Sequence, residues 1–284
     1  MLLLDCGDLF HPKNDNAEFL IDTLALMQYD AFSIAAPDLQ PGYEFLSAAG
    51  AGTTVPFIAS NLIYDGDRPS WASEYIIKEV GGIKVAVLGI ISPEELDRFL
   101  PAHKAGKLRA IAPEKALKKL VPAVRKKADL VVLLNQLNTI AQIDLFQKIK
   151  GIDVSISSGC WEAINNSKDL PIQTDPTEKP ANCSSPDTEA GQTRQSGKTF
   201  LVFTGNQGQS LGRLDFALNA DKTPYVRQTR HISLNKTIAE DPEMAERVKA
   251  FKEELKIKEE AEKKKLLEGL ELSPQEFMER YQKK

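Results

Sequence analysis

Short apolar runs alternate with amphipathic stretches over the first 157 residues of this chain. The runs at 2–6, 31–35 and 130–134 are typical of strands that are buried on both faces. The stretches at 16–28 and 113–127 carry apolar residues at helical spacing, which predicts amphipathic helices. Strands that alternate with helices predict an α/β fold in which helices cover mostly parallel sheets.

Three other segments add to this picture. Residues 76–80 and 83–91 predict a hairpin closed by a pair of glycines, and residues 225–234 alternate in the manner of an edge strand of the second sheet. Residues 162–198 are polar, contain several prolines and have almost no apolar periodicity. They predict a long surface loop or a disordered insertion.

The chain changes character after residue 238. Residues 256–265 are nearly all charged, which predicts a solvated helix. The turns before them have an apolar stripe that we expect to dock on the preceding domain. We therefore predict a domain at 1–238 and a charged C-terminal helical arm at 239–284. The apolar stripe consists of Met244, Val248, Phe251 and Leu255.

Composition excludes some classes of function. Of the 284 residues, 42% are hydrophobic and 27% are charged, as in ordinary globular proteins. The formal net charge of −4 gives no electrostatic reason to expect nucleic acid as a partner. The sequence has no run of about 18 apolar residues, so it predicts no membrane span. Cys160 and Cys183 bracket most of the polar insertion, and both a disulfide and two free thiols remain open for them.

Five stretches follow one another in an informative order: LLLDCGDLF (2–10), YDAFSIAAPDLQPG (29–42), ADLVVLLNQLN (128–138), GIDVSISSGCWE (151–162) and TGNQGQSLGRLDF (204–216). Together they resemble the N-terminal domain of the 5′-nucleotidases and UDP-sugar hydrolases, a branch of the calcineurin-like metallophosphoesterases. The resemblance implies an αββα architecture, which is a β-sandwich flanked by helices. It also implies hydrolysis of a phosphate ester or nucleotide by a pair of divalent metals such as Mn, Zn or Mg.

Two motifs of the family fall on the first two strand ends. The bridging aspartate of the metal pair follows a glycine, and Gly7-Asp8 matches this pair, although an Asp here can also cap the following turn. The Gly-Asn-His-Glu motif of the family corresponds to residues 35–38, where the sequence is Ala-Ala-Pro-Asp. The position of the catalytic acid is therefore Pro37, which cannot titrate.

The remaining family ligands are histidines, and this chain has other residues at their positions. Gln136 replaces the first, and an amide oxygen is a poor substitute for imidazole on a transition metal. Gly159 and Trp161 replace the last two, with Cys160 between them. His11 could approach the metal position from the loop after Asp8, although a lone loop histidine is commonly a surface residue.

The residues thus predict a scaffold of this family without its chemistry. We expect a non-catalytic binding or structural module that has no catalytic residue and no cofactor. Its partner is expected to be an unknown protein or a downstream domain, bound through residues 244–284. One alternative is an active phosphoesterase whose divalent metal pair is held by an altered ligand set. That set would consist of Asp8, His11, Asp38 and Gln136.

A second alternative is a truncated fragment of a larger exported protein. The family begins one strand earlier, with an Asp-x-His metal motif, and this chain starts directly at the next strand. The resemblance implies export to the periplasm. The N-terminal residues nevertheless lack the basic, apolar and small-residue segments of a secretory signal.

Overall fold

The computed structural model describes residues 1–10, 16–100, 106–137, 139–157, 193–196, 199–203, 208–221 and 223–269. The chain divides into two compact units, Met1–Asn235 and Lys236–Lys284. Cys160 and Cys183 lie outside the described residues, so their pairing stays a prediction. None of the described helices is long and apolar enough to cross a bilayer.

The first unit contains all of the described strands and most of the helices. The strands are β1 (Leu4–Asp5), β2 (Ala31–Ser33), β3 (Phe57–Ile58), β4 (Leu62–Tyr64), β5 (Tyr75–Val80), β6 (Ile83–Ile90), β7 (Leu108–Ala110), β8 (Leu130–Asn135), β9 (Val154–Ser157), β10 (Thr193–Ser196), β11 (Thr199–Phe203), β12 (Ser210–Leu218) and β13 (Pro224–Ser233). The helices are α1 (Ala17–Leu26), the 3-10 turn Pro37–Leu39, α2 (Tyr43–Gly52), α3 (Pro93–Phe99), α4 (Pro113–Arg125) and α5 (Thr139–Lys148).

The strands form two main sheets and two separate ladders. The smaller sheet is parallel, with the order β1-β2-β3. The larger sheet has the order β10-β11-β9-β8-β6-β5, and its four central strands are parallel while β10 and β5 pair antiparallel at its edges. The pairs β4–β7 and β12–β13 form two-stranded antiparallel ladders.

The two sheets pack face to face, and helices cover their outer faces. Ala31 and Ile58 of the smaller sheet share one buried cluster with Val85 and Val132 of the larger sheet. A second cluster joins the outer face of the smaller sheet to α1, α2 and α3, and a third joins the larger sheet to α4 and α5. Since the central strands are buried on both faces, their near-continuous apolar sequences follow from the architecture. The predicted αββα sandwich is therefore confirmed.

The predicted hairpin is confirmed, and four other local predictions need correction. The hairpin β5–β6 turns through two glycines with positive φ, as predicted. Residues 225–234 are not an edge strand of the second sheet, because β13 pairs along its length with β12 in a separate ladder. Residues 193–196 form β10 within the predicted 162–198 loop, most of which lies outside the described residues. Helices α1 and α4 each end two residues earlier than predicted, at Leu26 and Arg125.

The second unit contains helix α6 (Pro242–Gly269). Its apolar stripe is less buried than predicted, since Val248, Phe251 and Leu255 are each half-buried. Residues 256–265 are exposed on every side of the helix, which confirms that part of the prediction. Docking of this helix on the domain stays a prediction.

Candidate functional site

The candidate site lies where β1 and β2 end, since the resemblance places two of its motifs there. After β1 the chain turns through Gly7 and Asp8, whose φ angles are +89° and +67°. A Cβ atom on Gly7 would lie 2.4 Å from the carbonyl oxygen of Ser33 and 2.7 Å from Cβ of Ala35. Glycine is therefore required at this position, both by the left-handed backbone and by the close approach of the chain after β2.

The Asp38 carboxylate joins these two strand ends. It is fully buried in the 3-10 turn, and its oxygens accept four backbone N–H bonds. Oδ2 accepts from Asp8 at 2.8 Å and from Ala35 at 2.9 Å. Oδ1 accepts from Leu9 at 2.8 Å and from Phe10 at 2.9 Å. Burial raises the pKa of Asp38 to about 7, and the four N–H donors act in the opposite direction.

Two further carboxyls lie at the end of β1. Oδ1 of Asp5 accepts the N–H of Gly7 at 2.8 Å. Burial raises the pKa of Asp5, while the Gly7 N–H opposes this rise and the charge of Asp8 adds to it. Partial burial of its carboxyl also raises the pKa of Asp8, a residue that is otherwise exposed to solvent. The left-handed backbone of Asp8 is one that Asp adopts more readily than most residues.

A buried hydrogen-bond network fills the ends of β8 and β9 in the larger sheet. Nδ2 of Asn135 donates to Oγ of Ser155 at 2.8 Å, and this hydroxyl donates to Oε1 of Gln142 at 2.9 Å. The backbone of Leu137 closes the network, because its N–H donates to Asn135 and its carbonyl accepts from Gln142. These buried amides and hydroxyls satisfy one another, as buried polar groups require.

A second group of polar contacts holds the end of β3 against β6. Nδ2 of Asn61 donates to carbonyls that follow β6 and β7, and its Oδ1 accepts an N–H at the end of β6. The hydroxyl of Ser60 accepts the N–H of Gly89 at 3.0 Å. A Cβ atom on Gly89 would lie 2.3 Å from Oγ of Ser33, so the two sheets approach closely at this point.

The structure brings together two of the four predicted metal ligands. Asp8 and Asp38 meet, but the contact is made by the backbone N–H of Asp8. Gln136 follows β8, is half-buried and is not among the groups that bind the Asp38 carboxylate. His11 and residues 159–161 lie outside the described part of the chain. Metal binding by this set stays a prediction.

Other groups near these strand ends also have structural partners. Ala35, Ala36 and Pro37 are buried, and the side chains of the two alanines have no atom that could bind a metal. The Cys6 thiol donates to the carbonyl of Ile156 at 3.5 Å, and burial raises the pKa of this thiol. Within the described residues, no group of three or more His, Cys, Asp or Glu side chains is placed so that it could hold a metal ion.

Sequence analysis missed the network at β8 and β9. A signal for it exists, since Ser155 and Ser157 interrupt an apolar strand at alternate positions and Asn135 ends another. Polar residues within strands that are otherwise buried must find partners inside the protein. The identity of those partners depends on the pairing of β8 with β9, which the local sequence does not specify.

Comparison with known proteins identifies the fold. No family model matches the chain. The chain is 33% identical over 119 residues to the uncharacterized metallophosphoesterase YunD of Bacillus subtilis, a match that covers 41% of this chain and 24% of YunD. Among solved structures, a 5′-nucleotidase precursor of Thermus thermophilus matches with a TM-score of 0.68 and 16% identity, covering 90% of this chain and 50% of that protein.

A second solved structure extends the comparison. The calcineurin-like phosphoesterase YfkN of Bacillus subtilis matches with a TM-score of 0.66 and 20% identity, covering 89% of this chain and 83% of that one. The chain therefore spans about a quarter of the curated relative and half of the 5′-nucleotidase precursor. At these identities the likeness concerns the fold. The chain has the 5′-nucleotidase-type fold of the calcineurin-like metallophosphoesterases.

Proposed function

We propose that this protein is a non-catalytic binding or structural module built on a metallophosphoesterase fold. The observation that carries the proposal is the position of Asp38. Both oxygens of its carboxylate are occupied by backbone N–H donors from the loop that contains Asp8 and from Ala35. The loop that would present a bridging aspartate to a metal pair is thus held by a carboxylate of the chain itself.

The donor set also does not fit the metal pair that the resemblance implies. Two cations about 3.5–4 Å apart need several oxygen and imidazole ligands that converge from different strand ends. At the end of β2, Ala35 and Ala36 contribute no ligand atom, and Asp38 uses its oxygens to bind N–H groups. At the end of β8, Asn135 is bonded to Ser155 and to the backbone of Leu137.

The general acid of a phosphoesterase is a second requirement that these residues do not meet. A side chain must donate a proton to the leaving group, and loss of such an acid typically lowers the rate by about 10²–10⁴-fold. Pro37 stands at the family position of this acid and is buried in the 3-10 turn. The neighbouring Asp38 is fully buried, so its carboxyl cannot reach a bound substrate in this conformation.

Hydrolysis assays with defined metals test the proposal. We expect no turnover of nucleoside monophosphates, UDP-sugars or an aryl phosphate with Mn²⁺, Zn²⁺ or Co²⁺, and less than one bound metal per chain by elemental analysis. The diagnostic variant is Asp8→Ala, and Asp67→Ala is its control, since Asp67 is an exposed residue near β4. Metal-dependent hydrolysis that is lost in Asp8→Ala and kept in Asp67→Ala would establish the altered ligand set instead.

We also propose that residues 244–284 contact a protein partner or a downstream domain. The support is the contrast within helix α6, where half-buried apolar positions at 248, 251 and 255 are followed by a fully exposed charged segment. Export to the periplasm likewise remains a proposal that rests on the resemblance. Cell fractionation of the producing organism tests it directly.

A further inference from the structure

The loop after β1 has the geometry of an anion-binding nest. Three successive backbone N–H groups, those of Asp8, Leu9 and Phe10, point at the same carboxylate group. The N–H group of Ala35, in the chain after β2, points at it as well. Consecutive N–H groups that converge in this way bind anions, because their partial positive charges add. The left-handed conformations of Gly7 and Asp8 turn the three N–H groups of the loop to the same side.

We infer that this nest is a carboxylate-binding site whose ligand is the Asp38 side chain of the same chain. The donors are arranged in two pairs, with one pair on each oxygen at 2.8–2.9 Å. This arrangement matches a planar carboxylate that accepts two bonds at each oxygen. Hydrogen bonds of an ionised acceptor to backbone N–H groups are among the stronger ones in proteins.

The surroundings of the nest select for a small ligand. Asp38 has no contact with solvent, and Phe10, Ala35 and Leu39 beside it are all buried. A tetrahedral phosphate is larger than a carboxylate and would displace these neighbours. The inference concerns the ligand chemistry of the loop, so it goes beyond the proposed function and stands whether or not the chain hydrolyses a phosphate ester.

Removal of the side-chain carboxylate creates a vacant site and makes the inference testable. Asp38→Ala keeps Cβ and removes only the carboxylate group, and formate supplies the same three heavy atoms. Four N–H groups lose their acceptor in this variant, two of them in buried hydrogen bonds and two in partly buried ones, which destabilises the fold. Formate should restore the stability of Asp38→Ala. If formate binds the vacant site with a Kd of about 20 mM, then 200 mM formate raises the ratio of folded to unfolded protein about 11-fold.

The assay measures thermal unfolding at pH 8 in formate, acetate, formamide, inorganic phosphate and chloride at equal ionic strength. Leu39→Ala is the matched control, because it removes a fully buried neighbour and leaves the carboxylate in place. We expect formate to raise the melting temperature of Asp38→Ala in a saturable manner and to leave the wild type and Leu39→Ala unchanged. Acetate should act more weakly, since its methyl group meets Cβ of the new alanine, and formamide should not act.

The inference is overturned if formate raises the melting temperatures of the wild type, Asp38→Ala and Leu39→Ala equally. It is also overturned if formate does not change the melting temperature of Asp38→Ala. A larger effect of phosphate than of formate overturns the carboxylate assignment. If Asp38→Ala does not fold in any of these solutions, amide hydrogen exchange of the wild type decides. The N–H groups of Asp8, Leu9, Phe10 and Ala35 should then exchange as slowly as those of the central strands, and fast exchange overturns the inference.

Discussion

Substitution of Gly7 by alanine is the sharpest test of the structure around the candidate site. The new Cβ atom would lie 2.4 Å from the carbonyl oxygen of Ser33 and within 2.8 Å of the backbone nitrogen of Ala35. The backbone φ of +89° adds a second cost, because a left-handed conformation is unfavourable for alanine by about 1–2 kcal/mol. Overpacking typically costs about 1–3 kcal/mol. We therefore expect Gly7→Ala to lower the free energy of unfolding by about 2–5 kcal/mol.

Three other glycines separate the two costs. Gly52, the last residue of α2, would place its Cβ in open space and has no positive φ, so Gly52→Ala should be neutral or stabilise by up to about 1 kcal/mol. Gly42 has a φ of +98° and a ψ of 165°, a combination that is essentially confined to glycine, and it has open space around it, so Gly42→Ala should show only the backbone cost of about 1–3 kcal/mol. Gly89→Ala should show mainly the contact cost of about 1–3 kcal/mol, because its Cβ would meet Ser33.

Urea unfolding followed by far-UV circular dichroism measures all four variants under the same conditions. The expected order of stability is Gly52→Ala, then Gly42→Ala and Gly89→Ala, then Gly7→Ala. A Gly7→Ala protein that is as stable as Gly52→Ala would refute the reasoning. It would mean that the chain after β2 does not approach the loop at residue 7, and the four-donor nest on Asp38 would then be wrong as well.

Two further predictions concern Asp38 and helix α6. Because the folded state raises the pKa of Asp38 to about 7, it holds a proton that the unfolded state releases between about pH 4 and 7. The free energy of unfolding should thus fall as pH rises through this window, and Asp38→Asn should remove part of the fall. Urea unfolding at several pH values measures both proteins. Parallel plots of the free energy of unfolding against pH for the wild type and Asp38→Asn would contradict this prediction. Phe251→Ala should destabilise by about 1–3 kcal/mol, whereas charge reversal at 263–265 should cost about 0–1 kcal/mol. If Phe251→Ala and the charge reversal lower the melting temperature equally, the charged segment packs against another protein surface.

The α/β class was predictable from the apolar pattern because the central strands are buried on both faces, whereas the sandwich of two sheets was expected from the resemblance. β6 directs Ala86 and Leu88 towards the helices and Val85 and Val87 towards the other sheet, so every position in this run is apolar. Such runs stand out against amphipathic helices of period 3.6. The strand at 193–196 was missed for the opposite reason. Its sequence, Thr-Arg-Gln-Ser, has no apolar pattern, and it is a strand because it pairs with β11.

The candidate site was predictable only in part. The resemblance located Asp8 and Asp38 at adjacent strand ends, and the hydrogen bond from the Asp8 N–H to the Asp38 carboxylate confirms that proximity. The role of Asp38 could not be inferred, because it depends on the backbone conformation of three residues that follow a glycine. A glycine in the sequence indicates that a positive φ is allowed. It does not specify where the next N–H groups point.

The nest also accounts for the conformation of the loop that follows β1. Buried backbone N–H groups require acceptors whether or not a site performs chemistry. The N–H groups of Leu9, Phe10 and Ala35 find theirs in the Asp38 carboxylate, and the polar groups at the end of β8 find theirs in Ser155 and Gln142. Both arrangements stabilise the strand ends through contacts within the chain. The polar groups of these two strand ends therefore find their hydrogen-bond partners within the chain itself.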